Sequence, residues 1–186
     1  MGYALELTLR RTGMKKSLSI LTLLVLALVN IPSHSQDART TIDERSYNLG
    51  IMGGFAEVVR LGVKKLALSE VMEPEEMDDL MEDARIIAKR NDVLIWRETD
   101  FLVTDLYPQD VAKGKHVLLI YTGNTLDEYL ALKADKAALI ASGDYEGRAR
   151  EDIARRFGRL LSYPEDVIDD LIARQRENRE GAGSNR

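Results

Sequence analysis

Cysteine is absent from this 186-residue chain, and histidine occurs only twice. Without thiols there is no disulfide framework, no thiolate metal centre and no cysteine nucleophile. Long apolar runs are also missing. The longest, Leu18 to Val29, covers about twelve residues, against roughly 20 for a bilayer-spanning helix. Basic clusters are lacking too. The formal net charge is −5, which argues against nucleic acid, whose binding needs a positive face to displace counterions.

The short apolar run is informative in its own context. Lys15 and Lys16 precede it, Pro32 ends it, and Ser33 and Ser35 stand three places and one place before Gln36. A charged start, a short apolar centre and a small-x-small end make a secretory signal peptide over residues 1–35, cut between Ser35 and Gln36. Met14 directly precedes the lysines, so residues 1–13 read as a start-site extension. The expected location is periplasmic or secreted, with no membrane attachment after cleavage. Cleavage removes Arg10, Arg11, Lys15, Lys16 and Glu6, leaving 22 basic against 30 acidic residues and a net charge near −8. It also removes His34, so His116 is the mature chain's only histidine. A multi-histidine zinc site within one chain is excluded, and no metal site is expected.

Residues 36–177 read as one domain, led by a polar segment from Gln36 to Arg45 and followed by a polar, disordered tail over 178–186. From Tyr47 to Ser69 the apolar residues Ile51, Phe55, Val58, Val59, Val63 and Leu66 recur at helical spacing. Pro74, Glu75 and Glu76 suit the first turn of a second helix, with Asn91 as its left-handed cap. Val93 to Trp96, Phe101 to Val103 and His116 to Tyr121 read as three strands, the last central and covered on both faces. Three helices follow. Thr125–Glu128 and Ser162–Glu165 have the form of capping boxes. The expected fold is therefore α+β: a small three-stranded sheet covered by about five helices, two N-terminal and three C-terminal.

The sharpest local motif is the turn Thr122, Gly123, Asn124 and Thr125, between a buried strand and a helix start. Free N–H groups and the positive helix end there suit a phosphate or carboxylate. These four residues resemble the phosphate loop of flavodoxins, which implies an anion held at this turn. The resemblance stops at the strand, the turn and the helix start. The run of Ser/Thr that precedes that loop and the further strands of that fold are both missing, so no cofactor is expected. His116, at a strand start, is the one candidate general acid or base, although no G-x-S-x-G elbow accompanies it. Asp100, Asp105 and Asp110 lack the density of a calcium loop and read as solvated turn residues. Gly50, Gly54 and Gly62 share one face of the first helix and read as sites of close packing.

Two functions follow. The first is a non-catalytic binding or accessory module of the envelope, whose partner is an envelope protein. The alternative is a binding protein or enzyme for a small anionic ligand, held by Thr122–Thr125. Nucleic acid is not expected as a partner.

Overall fold

A computed structural model describes residues 43–183. The expected signal peptide, its expected cleavage site and residues 184–186 lie outside the described residues.

Asp43 opens the first helix, α1 (Glu44–Arg60), by accepting from the Ser46 N–H at 2.9 Å. Gly62, at φ +74°, then turns the chain into a three-residue strand, β1 (Leu66–Leu68). Helix α2 (Pro74–Arg90) starts with proline in its first turn, and Glu76 Oε2 accepts from the Glu73 N–H at 3.0 Å. Strands β2 (Leu94–Glu98) and β3 (Val117–Tyr121) follow, then α3 (Thr125–Ser142), α4 (Gly147–Leu160) and α5 (Glu165–Gly183).

The sheet is antiparallel, in the order β1-β3-β2. All five residues of β3 are buried. Leu118 and Ile120 point into a core with Met52, Ala56 and Val59 of α1 and Met77, Leu80 and Ala84 of α2. Val117, Leu119 and Tyr121 point the other way, towards Tyr129, Phe157 and Leu161. The α+β class, the number of strands and the double cover of β3 agree with expectation.

The membership of the sheet differs. The first helix stops at Arg60, and Leu66 belongs to β1. Phe101 to Val103 is not a strand: the third strand is β1, and the 101–103 backbone is bonded by side chains of the helix that follows β3. The α1 face is also displaced by one position: Met52 and Ala56 are buried, while Val63 is exposed. Asn91 is not the left-handed residue; Asp92 is, at φ +53°. Neither capping box closes. Thr125 lies inside α3 and its hydroxyl donates to the Thr122 carbonyl at 2.9 Å. Ser162 Oγ accepts instead from the Lys65 N–H at 2.9 Å. Residues 178–183, expected to be disordered, continue α5.

The connection from β2 to β3 does most to shape the molecule. Phe101, Leu102, Thr104, Asp105 and Leu106 are all buried, although this stretch is neither helix nor strand. Buried irregular backbone must find hydrogen-bond partners, and the C-terminal helices supply them. From α3, Tyr129 Oη accepts from the Leu102 N–H at 3.0 Å, and Lys136 Nζ donates to the Val103 carbonyl at 2.6 Å. Arg150 of α4 donates to both oxygens of Asp105, and Arg179 of α5 donates to the same carboxylate. The connection is thus a plug, held by polar side chains from three helices. Gly158 lets α4 and α5 close on it: a Cβ there would meet Ile168 Cγ1 at 2.6 Å.

Candidate functional site

The turn at 122–125 has the expected strand-to-helix form. Gly123 is exposed at φ +58°, and Asn124 precedes the first residue of α3. Much of its hydrogen-bonding capacity is used internally. The Asn124 carbonyl accepts from the N–H groups of Asp127 and Glu128, and the Thr125 hydroxyl, in a buried residue, is turned back to Thr122. The positive φ makes one outcome clear. A β-branched residue is strained there, so Gly123→Val should lower stability by about 1–2 kcal/mol in urea unfolding. An unchanged melt, with loss of phosphate binding, would instead assign the turn to a ligand.

His116 sits half-buried at the start of β3, where its backbone pairs with Met72. The Arg97 guanidinium of β2 lies 2.8 and 3.1 Å from its Nδ1. The same guanidinium bonds the Pro74 carbonyl at 3.0 Å and pairs with Asp78. A lone pair facing an arginine is engaged, so this arrangement ties β2 and β3 to the start of α2.

The acidic residues separate. Asp100 and Asp110 are exposed as expected of solvated turns, but Asp105 is buried, against that expectation, and so is Glu98 at the end of β2. Glu98 accepts from Lys133 at 3.1 Å, and Asp105 takes both arginines. Among the described residues no group of three or more His, Asp or Glu is placed to hold a metal ion.

The cleft that does suit a ligand lies elsewhere, between β1, the plug and the α4–α5 corner. It encloses about 410 Å³, within the usual size of small-molecule sites. Its walls are mainly apolar and include Phe55, Leu68, Phe101, Val117 and Leu161. Its polar groups converge from separate segments and include Ser69 and the exposed Glu70, whose carboxylate makes no ion pair with Lys64. Tyr107 and Tyr163 hydroxyls meet at 3.2 Å, and Lys64 Nζ lies 4.9 Å from the Tyr163 ring centre. Lys64 donates to the Leu161 carbonyl at 2.7 Å. Among the described residues no carboxylate pairs with it. Burial pushes its ammonium pKa down, and burial together with the Tyr163 hydroxyl pushes the Tyr107 phenol up. Sequence reading missed this site. Lys64 falls on the solvated side of a helix drawn to Ser69, and the cleft exists only once Gly62 breaks that helix.

Trp96, 44 % exposed on β2, lies outside this cleft, whereas Tyr107 and Tyr163 line it. Comparison with protein-family models, with curated proteins and with solved structures returned no match.

Proposed function

We propose that the chain is an exported, non-catalytic binding protein whose cleft takes a small apolar molecule bearing a carboxylate. The observation that carries this reading is Lys64, a half-buried cation in an apolar cleft with no carboxylate partner among the described residues. A desolvated charge is costly unless paired. A ligand carboxylate would supply the missing charge while its apolar body replaces water against Phe101 and Val117. The signal peptide supports export. The engagement of His116 by Arg97 and of the buried carboxylates by lysine and arginine supports binding over catalysis. The anion class is the one expected at Thr122–Thr125, with a different site favoured by the cavity and its cation.

Octanoate and octanol, compared by calorimetry, test this. Octanoate should bind more tightly, and Lys64→Met should weaken it at least about tenfold, the scale of one charge-assisted hydrogen bond. Octanol should be affected little. The wild-type preference should fade with rising pH, starting below the usual lysine range, because the pKa of Lys64 is lowered. Equal binding of both probes, or octanoate binding that ignores Lys64→Met, would overturn the reading.

A further inference from the structure

Helix α1 is apolar on two sides. Met52, Ala56 and Val59 are buried against α2 and the sheet. On the other side Tyr47, Ile51, Gly54, Val58 and Leu61 follow at steps of four, three, four and three, the spacing of a two-helix seam. Tyr47 is 52 % and Leu61 59 % exposed, and Ile51 and Val58 are partly exposed. A surface helix ordinarily turns a polar face to water, so this second stripe calls for a partner.

The glycines sharpen the point. Sequence reading expected close packing at Gly50 and Gly54, yet a Cβ at either would meet nothing within 4 Å. Each costs a helix about 1 kcal/mol relative to alanine, and nothing in the described fold requires them. A bare backbone in the middle of an apolar stripe allows another backbone to come close.

We propose that this face is a homodimer contact, in which α1 packs antiparallel on α1 of a second copy about a two-fold axis at Gly54. A second copy fits because the stripe is self-complementary. Rotation about Gly54 sets Tyr47 against Leu61 of the other copy and Ile51 against Val58. It also brings the acidic end, Asp43 and Glu44, to the basic end, Arg60 and Lys65, all exposed. The helix dipoles then oppose each other favourably. Such a contact is isologous and closed, so it stops at two copies. It involves neither Lys64 nor the carboxylate reading of the cleft.

Sedimentation velocity on the chain recovered from the producing cells, with its start fixed by mass, tests the contact. The wild type should show a concentration-dependent dimer. Gly54→Arg should raise the dissociation constant about a hundredfold or more, with the monomer's circular dichroism preserved and its melt unchanged or raised, because the position is open. Tyr47→Lys should act likewise. Ile86→Lys, on exposed α2 surface, should leave the dimer intact. Glu44→Arg should weaken association, and Glu44→Arg combined with Arg60→Glu should recover it. A wild type that stays monomeric at all concentrations, or a dimer indifferent to Gly54→Arg, overturns the proposal. So does a monomer whose amides over 47–61 are protected only when residues 18–29 are retained, which would give the face to that segment.

Discussion

Replacing Asp105 by alanine is expected to lower unfolding free energy by about 3 kcal/mol, the lower end for breaking a buried ion pair by removing one partner. The carboxylate is buried and accepts from Arg150 at 2.6–2.9 Å and from Arg179. Without it, the half-buried Arg150 guanidinium faces the plug with no counter-charge, while the more exposed Arg179 can return to water. That release is why the lower end is expected. The plug would also lose its ion pairs to α4 and α5, two of the helices that cover β3 on that side. Urea unfolding should show a lower midpoint. A loss under about 1 kcal/mol would mean that the clamp behaves as a surface pair.

The same residue makes a pH prediction. Burial pushes the Asp105 carboxyl up, but hydrogen bonds from Arg150 and Arg179, with their charges, outweigh it and hold the carboxyl below the usual aspartate range. The folded state therefore binds this proton less readily than the unfolded chain. The resulting stability is present above the unfolded aspartate value, about 3.9, and is lost as pH falls towards the folded value. Asp105→Asn keeps the shape without the charge. Its stability should fall less steeply than the wild type's below about pH 4, and equal slopes would remove Asp105 as the source.

Much of this arrangement was legible in the residues, and each exception has its own physical cause. His116 to Tyr121 announces a central strand because six apolar or amphipathic residues in a row must be covered on both sides. Pro74 with two glutamates announces a helix start. Leu66–Leu68 is harder to see because Val59, Val63 and Leu66 continue the spacing of α1 across its end. Only the left-handed turn at Gly62 separates them, and a glycine in a helical pattern does not declare its φ. Phe101–Val103 misleads in the opposite direction. Its composition is that of a strand, and the outer edge of β2 stands free, but its apolar side chains are taken into the core with Tyr129, Phe157 and Leu161. The stretch becomes a plug instead, with Tyr129 and Lys136 satisfying its backbone. Local pattern fixes what a segment would do alone; burial against the C-terminal helices decides what it does here. The cleft follows from that packing, since its walls come from β1, the plug and the α4–α5 corner.

Phe157→Ala is expected to be as damaging as the loss of Asp105 or more so, at about 3–5 kcal/mol for a fully buried phenylalanine. Phe157 is 0 % exposed and stands at the meeting point of three other rings. Its centroid lies 5.8 Å from Phe101, 6.4 Å from Tyr107 and 6.0 Å from Tyr129, at tilted or edge angles that aromatic pairs favour. Phe101 and Tyr107 belong to the plug, Tyr129 to α3 and Phe157 to α4, so one truncation loosens three segments together. Relaxation is restricted, because Tyr129 is held by the Leu102 N–H and Tyr107 by Tyr163. A cavity should therefore persist, which places the loss towards the upper part of the range. The cleft shares Phe101 and Tyr107 with this cluster, so octanoate binding should weaken in the same variant even where it remains folded. Lys64→Met separates the two effects: it should impair binding with little change in the urea midpoint, whereas Phe157→Ala should impair both. If Phe157→Ala costs under about 1.5 kcal/mol, the range for a tolerated, volume-conserving swap, the ring cluster is not what holds the plug.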